Sequence, residues 1–334
     1  MRRIIVAGGT GFFGGAAVER LRADGCEPII ASRTGGMRLD VEDRGSIGTL
    51  LRQGDVVLDA VGPFQDRTTT LVQAAEAIGF DVVDISDSLT YCERVLARRS
   101  AGVRLLTACS SVSVVPASCV MVSGITRPTR ASTFLAPETR YTARPGAGTS
   151  LLRSIGRPIR VWRGGALVRR IGWSEAQPFP MPRPIGPLEC RLMETADAVT
   201  LPPVWPSLRD VDFWVDTHIA ALNRLLTWAA GWGVASWFES RYVQRIGLPV
   251  VRGLGPKGGA MGVQIEGEGR IARFGIVAEH RGYYTPIVPA VIAAKRIAEG
   301  RFQGTGVIPA DRQVDPEEVF AYLRAIGLRV LRLD

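Results

Sequence analysis

A glycine-rich turn near the N-terminus constrains the fold of this chain more than any other feature. The sequence GGTGFFG at residues 8–14 follows the apolar run Arg3–Ala7 and opens a stretch with helical periodicity, from about Phe13 to Asp24. Glycines let the backbone turn tightly and approach a pyrophosphate, while the helix N-terminus offers N–H groups and the positive end of its dipole. In this strand–turn–helix context the pattern predicts a dinucleotide-binding domain.

The next hundred residues alternate between short apolar runs and helical patterns. The predicted strands after the first are Pro28–Ala31, Asp55–Ala60, Asp81–Ile85 and Val103–Thr107. Their nearly continuous apolar character predicts an α/β fold, with a Rossmann-type parallel sheet covered on both faces. Too few residues separate Arg33 from Leu39 for a crossover helix, so we expect the strand near Met37–Asp40 to be short or irregular.

The pattern changes after about residue 120. Strand-like segments such as Ile159–Trp162 and Ile271–Ala278 predict a second α+β domain with a mostly antiparallel sheet. We expect residues 1–120 to form the dinucleotide-binding domain, with 301–334 packing back on it. Residues 121–300 would form a substrate and dimerisation domain, so we expect a homodimer.

Charge and cysteine usage argue against several classes of protein. The net charge of +9 comes from arginines spread along the chain, with Lys257 and Lys295 as the only lysines. A nucleic-acid-binding protein would cluster its basic residues and carry a recognition motif, so nucleic-acid binding is not expected. The five cysteines are scattered without a CxxC pair, which predicts neither disulfides nor a metal site, and favours a cytoplasmic location.

One apolar segment leaves two interpretations open. Leu225–Phe238 carries no charged residue and contains three tryptophans, but it is only 14 residues long, against about 20 for a membrane span. A buried or interface helix is the first interpretation. Peripheral contact of segment 225–238 with a membrane is the second.

The end of the second strand distinguishes the two nicotinamide cofactors. NAD enzymes usually place a carboxylate there to hold the ribose 2′-hydroxyl, whereas this chain has Ser32 and Arg33. An arginine pairs with a 2′-phosphate and a serine adds a donor, so we predict NADP(H). Asp40 and Val41, after the short third strand, are expected at the adenine edge.

Several motifs together resemble the saccharopine dehydrogenase-like family. They are GGTGFFG, Asp55–Phe64, Asp81–Asp87, Val112–Pro116, Gly146–Ser150 and Gly306–Leu323, while Leu254-Gly255-Pro256 resembles a branch that includes trans-acting enoyl reductases. The resemblance touches both domains, although its specific motifs lie mainly in the first 120 residues. It implies a two-domain oxidoreductase with its active site in the cleft between domains, and a segment at residues 60–64 that lines the nicotinamide half of the cofactor.

The site residues follow from the turn, the strand ends and this resemblance. Those expected to bind the cofactor are Gly8, Thr10, Gly11, Phe12, Phe13, Gly14, Ser32, Arg33, Asp40, Val41, Ala60, Val61, Gly62, Pro63, Phe64, Ser86 and Cys109. No tyrosine has a lysine four residues later, which excludes the Tyr-x-x-x-Lys mechanism. The candidate proton donors are His280, Asp87 and Tyr91, with Asp84 as a further alternative and a surface or structural role for His280 also open. Arg144 and Thr149 are candidates for substrate binding.

Three functions are compatible with these residues. The first is an NADP(H)-dependent oxidoreductase that reduces a C=N, C=O or activated C=C bond of a small or lipid-like molecule. The second is an NADP(H)-binding sensor without turnover, which the absence of a compelling proton donor keeps open. The third is a scaffold that docks on a membrane through the tryptophan segment.

Overall fold

The computed structural model describes residues 1–144, 152–232 and 241–333, without the side chains of 241–244 and 246. The chain divides into two compact units. The first comprises Met1–Ser118 and Tyr284–Val319, and the second comprises Cys119–Tyr283 and Phe320–Asp334. Thr149 and residues 233–238 of the tryptophan segment lie outside the described residues.

The first unit is built on a parallel sheet of seven strands. They are β1 (Ile4–Ala7), β2 (Ile29–Ser32), β3 (Met37–Arg38), β4 (Val56–Asp59), β5 (Asp81–Asp84), β6 (Arg104–Leu106) and a late strand, Gly306–Val307. The late strand lies at one edge, followed in order by β6, β5, β4, β1, β2 and β3. Every residue of β1, β4 and β5 is buried, as expected for strands covered on both faces. The predicted parallel sheet is confirmed.

Helices pack on this sheet, among them α1 (Phe12–Ala23), α3 (Thr70–Ile78) and the later helix Val288–Ala298. The unit also contains α2 (Arg44–Leu50), α4 (Leu89–Leu96) and Ala310–Gln313, while α5 (Val114–Val122) and Pro316–Ala325 begin in the first unit and end in the second. The helix Val288–Ala298 packs on β1, β4 and β5, and its apolar residues place it in the core of the unit. No helix joins β2 to β3, and β3 is only two residues long, as the short connection predicted.

The second unit contains a sheet of nine strands. They are β7 (Arg130–Ala136), β8 (Pro158–Arg163), β9 (Ala166–Ile171), β10 (Ala176–Phe179), β11 (Leu188–Met193), β12 (Asp210–Val215), β13 (Gly259–Gly267), β14 (Arg270–Ala278) and, after the late strand β15 of the first sheet, β16 (Arg329–Arg332). The order is β10, β11, β12, β7, β13, β14 and β16, with the β8–β9 hairpin joined to β12. Among the described strands of this second sheet only the β7–β12 pair is parallel, so the predicted mostly antiparallel sheet is confirmed.

The second unit has an aromatic core and four described helices of its own. Three aromatic rings pack in its centre. The ring centroid of Phe134 lies 4.6 Å from that of Phe179 and 6.5 Å from that of Trp214. The described helices of this unit are α6 (Thr139–Thr142), α7 (Asp197–Thr200), α8 (Ala220–Gly231) and α9 (Arg241–Leu254). In the parts of the chain that the structure describes, no helix combines the length and apolarity that crossing a membrane requires.

Candidate functional site

The turn between β1 and α1 is so tight that three of its glycines, Gly8, Gly9 and Gly14, have no room for a side chain. Gly8 has φ +76°, and a Cβ there would lie 2.9 Å from the Ala60 carbonyl oxygen. A Cβ on Gly14 would lie 2.1 Å from the Gly8 carbonyl oxygen. The neighbouring Gly15, in contrast, has its nearest atom at 3.7 Å, an ordinary contact. The first turn of α1 therefore approaches the backbone of residues 8 and 9 as only glycine permits.

Backbone hydrogen bonds fix the turn against the sheet. The N–H of Gly8 donates to the Ala31 carbonyl at 2.8 Å, and the N–H of Gly11 donates to the Gly8 carbonyl at 2.8 Å. Gly11 precedes α1 without a capping side chain, and the first turn of this helix holds no acidic residue. The positive end of α1 is thus not neutralised by a carboxylate of its own first turn, which suits a phosphate group.

The side chains beside the turn differ in exposure. Thr10 and Gly11 are exposed, whereas Phe12 and Phe13 are half-buried, with their rings 5.2 Å apart in an edge-to-face arrangement. A Cβ on Gly35 would lie 3.8 Å from the Thr10 side chain, so the loop after β2 runs directly beside the glycine turn.

The loop after β2 contains the predicted NADP determinants. The Ser32 hydroxyl accepts the Gly35 N–H at 2.9 Å and donates to the Gly35 carbonyl at 2.8 Å, so it folds the loop. The donor proton of Ser32 is therefore engaged within its own loop. Arg33 is exposed, and its guanidinium makes no hydrogen bond to any residue that the structure describes.

The predicted adenine-edge residues follow the third strand. The carboxylate of Asp40 accepts the N–H of Glu42 at 3.0 Å, and Asp40 is half-buried. Val41 is buried at 3% exposure, so its side chain belongs to the core of the first unit.

The segment after β4 adjoins the glycine turn. The N–H of Ala60 donates to the Ala7 carbonyl at 3.0 Å, and the Val61 methyl group would lie 3.2 Å from a Cβ on Gly8. Gly62 is exposed, Pro63 is half-buried and Phe64 is buried. The structure therefore brings the turn, the β2 loop and this segment together at the carboxyl ends of parallel strands, where such sheets bind ligands.

A buried ion pair lies directly under this edge. Asp59 ends β4 with no exposed surface, and its carboxylate pairs with the guanidinium of Arg67 at 3.0 Å. The same guanidinium donates to the Val61 carbonyl at 2.8 Å, and its carbon lies 5.5 Å from the Phe64 ring centre. Burial alone would lower the pKa of Arg67, but the charge of Asp59 and the hydrogen bonds raise it above its ordinary value.

A second buried carboxylate ends the neighbouring strand. Asp84 on β5 accepts hydrogen bonds from the N–H groups of Ser86 and Ala108 at 3.0 and 2.9 Å, and from the Thr107 hydroxyl at 3.2 Å. Burial raises the pKa of Asp84 to about 7, although these hydrogen bonds lower it and the charge of Asp59 adds to the rise. This carboxyl therefore titrates near neutral pH.

Three of the predicted site residues are buried around Asp84. Tyr91 is 1% exposed, and its hydroxyl has no hydrogen-bond partner among the described residues. Burial raises the pKa of Tyr91 well above its usual value. Ser86 accepts the N–H of Ser88 at 3.1 Å, and Cys109 donates its N–H to the Asp84 carbonyl at 2.8 Å. Because burial also raises the pKa of the Cys109 thiol, it is no nucleophile as it stands.

The remaining predicted residues are more accessible. Asp87 is half-buried in the first unit and accepts a hydrogen bond from the Gln65 side chain at 3.1 Å. His280 is exposed after β14, and Arg144 is exposed with its Nε donating to the Tyr141 carbonyl at 3.1 Å. Both belong to the second unit. Among the described residues, no three His, Cys, Asp or Glu side chains are grouped as metal ligands.

The sequence analysis did not single out the Asp59–Arg67 pair or Thr107. A signal for the pair existed, because Asp59 stands at the end of the apolar run VVL, where a carboxylate requires a partner. The sequence could not say which of its many arginines supplies that partner.

Comparisons with known proteins give one family match and several similar structures. Residues 4–158 match the model of the NAD dependent epimerase/dehydratase family. The sequence has no significant match among curated proteins. Apo saccharopine dehydrogenase (L-Glu forming) from Saccharomyces cerevisiae is similar in structure, with a TM-score of 0.62 and 12% identity over 100% of both chains. Myo-inositol 2-dehydrogenase from Lactobacillus plantarum gives a TM-score of 0.44 and 8% identity over 100% of this chain and 99% of that one.

The family match and the structural similarity both concern the fold of the chain. The chain shares the fold of saccharopine dehydrogenase over its full length, which confirms at this level the resemblance drawn from its motifs. Its first unit is a dinucleotide-binding fold of the NAD type, as the glycine turn predicted.

Proposed function

We propose that this chain is an NADP(H)-dependent oxidoreductase. It would reduce a C=N, C=O or activated C=C bond of a small or lipid-like molecule. The observation that carries the proposal is the joint position of the glycine turn and the Arg33 loop, which lie side by side at the ligand-binding edge of the parallel sheet. A turn without room for a Cβ and an uncapped helix N-terminus fit a pyrophosphate.

The charges after β2 support NADP(H) over NAD(H). Arg33 is exposed and free of protein hydrogen bonds among the described residues, and Arg38 is exposed on β3 directly opposite Ser32. Two cations flanking this loop would attract a 2′-phosphate, and the Arg33 guanidinium offers it paired donors. The Ser32 hydroxyl would act indirectly, by holding the loop.

The cofactor, when bound, supplies the hydride, and the protein positions it and provides a proton. The resemblance to the saccharopine dehydrogenase-like family implies that residues 60–64 would line the nicotinamide half, and Ala60 and Val61 do adjoin the glycine turn. Of the candidate proton donors, we favour Asp87 in the first unit, since it is half-buried whereas the Tyr91 hydroxyl is enclosed. His280 stays a candidate from the second unit.

Calorimetric titration of the wild-type protein with NADPH, NADP⁺, NADH and NAD⁺ tests the cofactor. We expect the phosphorylated pair to bind more tightly. Arg33→Asp should weaken NADPH binding by about 10- to 100-fold, the loss of one charge-assisted interaction. Arg22→Asp is the matched control, because Arg22 is an exposed arginine in the last turn of α1. An absence of heat with all four nucleotides would refute the proposal.

A sensor without turnover is the second candidate. It is favoured by the burial of Asp84 and Tyr91, which leaves few accessible acids at this edge. NADPH oxidation with ketoacid–amine pairs, carbonyl compounds and enones separates the two functions. Tight NADPH binding with no consumption across the panel and in metabolite extracts would favour the sensor. The homodimer and the cytoplasmic location stay predictions, which light scattering and cell fractionation can test.

A further inference from the structure

Helix α8 exposes an apolar face. Leu225, Trp228 and Trp232 are 45%, 56% and 73% exposed, and their spacing of three and four residues places them on one side. The two indole rings lie 5.9 Å apart. Leu226 and Ala229, which directly follow Leu225 and Trp228 in the sequence, are buried. An ordinary surface helix buries one apolar face and exposes a polar one, whereas this helix has apolar side chains both buried and exposed.

Hydrogen bonds fix the orientation of α8. The Asn223 side chain accepts the N–H of Thr217 at 3.1 Å and donates to the Asp216 carboxylate at 2.5 Å. In the middle of the helix, the buried Trp173 donates its indole N–H to the Thr227 hydroxyl at 3.1 Å. These hydrogen bonds at Asn223 and Thr227 hold the helix in the orientation that leaves Trp228 and Trp232 exposed.

Helix α9 of the same unit shows a similar exposure. Val250 and Leu254 are 56% and 71% exposed near its C-terminus. Arg140 holds this end, donating to the carbonyls of Gly253 and Gly255 at 3.2 Å each. We call Leu225, Trp228, Trp232, Val250 and Leu254 the apolar set.

The charges on these two segments are all of one sign. Residues 219–232 and 241–258 contain no aspartate or glutamate, and their charged residues are Arg224, Arg241, Arg245, Arg252 and Lys257. Arg224 and Arg245 are exposed. Exposed tryptophan and leucine on segments whose own charged residues are all cations suit a surface that is apolar and negatively charged.

We propose that the apolar set docks this protein on the surface of an anionic phospholipid bilayer. Indole rings favour the boundary between headgroups and acyl chains, and arginines favour the headgroup phosphates. A second copy of the chain fits less well, because a two-fold contact would bring together two copies of segments that carry only positive charge. The proposal does not depend on the proposed cofactor or reaction.

Co-sedimentation with vesicles tests this docking. The full-length protein should sediment with vesicles of phosphatidylcholine and phosphatidylglycerol in equal parts, and less so at high salt. It should stay in the supernatant with phosphatidylcholine alone. The double variant Trp228→Ser/Trp232→Ser should bind the anionic vesicles at least about tenfold more weakly, since two exposed side chains lose their burial in lipid. Arg224→Gln/Arg245→Gln should weaken binding and reduce its salt dependence.

Ile271→Ser is the matched control, because Ile271 is 52% exposed on β14, outside the apolar set. It should bind vesicles as the wild type does. Thermal unfolding midpoints close to that of the wild type would show that the variants fold. The proposal is overturned if the wild type ignores anionic vesicles or if the double tryptophan variant still binds them. It is also overturned if light scattering finds a wild-type dimer that the tryptophan variant dissociates, with neither protein sedimenting.

Discussion

The carboxyl edge of the parallel sheet contains two regions that handle charge in opposite ways. At the ends of β1 and β2, the glycine turn offers a helix N-terminus, and Arg33 is exposed without a described hydrogen-bond partner. At the ends of β4 and β5, Asp59 and Arg67 pair with each other in the interior, and Asp84 accepts three hydrogen bonds from its surroundings. The first region is open and its positive potential is not cancelled, whereas the second satisfies its buried carboxylates with an ion pair and hydrogen bonds.

This contrast indicates which region binds and which supports. An uncompensated positive site attracts an anionic ligand, because the ligand supplies the missing charge. A buried pair that is already satisfied has little to offer a ligand, and its loss should instead damage the fold. Substitutions in the two regions should therefore separate stability from cofactor binding.

The largest effect is expected from Arg67→Met. It leaves the Asp59 carboxylate buried without its partner, which typically costs about 3–5 kcal/mol of the free energy of unfolding. Arg98→Met is the control, since the Arg98–Glu76 pair is partly exposed and should contribute about 0–1 kcal/mol. Urea denaturation measures both. Equal losses of unfolding free energy in the two variants would show that the buried pair stabilises the fold no more than the partly exposed one.

Gly14→Ala should act on cofactor binding first. The new methyl group would lie 2.1 Å from the Gly8 carbonyl oxygen, so the turn must move away from α1. Such overpacking costs about 1–3 kcal/mol, and dinucleotide binding should weaken by about 10- to 100-fold. Gly15→Ala is the matched control, because its methyl group meets nothing closer than 3.7 Å. Calorimetric titration measures the dinucleotide affinity of both variants. Similar affinities would show that the tight turn is not required for binding.

The open region at the ends of β1 and β2 was predictable from the sequence. The closed region, which comprises Asp59, Arg67 and Asp84 at the ends of β4 and β5, was not. The glycine turn is a local signal, since every residue that shapes it lies within residues 4–31 or follows a recognisable strand. The Asp59–Arg67 pair also lies close in sequence, yet no local rule selects Arg67 from the arginines around it. Asp84 depends on Thr107 and Ala108, more than twenty residues later, so only the folded sheet shows that it is satisfied.

The side-chain roles at the open edge were also only partly predictable. The residue types after β2 predicted a phosphate-binding pair, but the Ser32 hydroxyl turns back on its own loop. Serine commonly forms such local turns, and a sequence alone does not say whether its hydroxyl faces the loop or the ligand. In the second unit, the strand segments predicted a mostly antiparallel sheet, while the parallel β7–β12 pair depends on long-range topology.

Asp84→Asn should change how stability depends on pH. The pKa of Asp84 is raised to about 7 in the folded protein, above its value of about 4 in an unfolded chain. Its contribution to stability is therefore fully present below about pH 4 and is lost as the pH rises through 7. The wild type should lose at most about 1.4 kcal/mol per pH unit in this window from this group. Denaturation curves at several pH values should show a smaller decline for the variant, and an unchanged slope would exclude Asp84 as the titrating group.

The smallest effect is expected from Tyr91→Phe, although Tyr91 is one of the candidate proton donors. Its hydroxyl is buried without a described hydrogen-bond partner, so the substitution should change the free energy of unfolding by less than about 1 kcal/mol and leave turnover unaltered. Thr107→Val is the control, because it removes a hydroxyl that does donate to Asp84, and should cost about 1 kcal/mol. A fall in kcat of about 100-fold or more with unchanged KM would show that Tyr91 supplies the proton. The closed region would then open during turnover, and the division between a binding edge and a supporting one would fail.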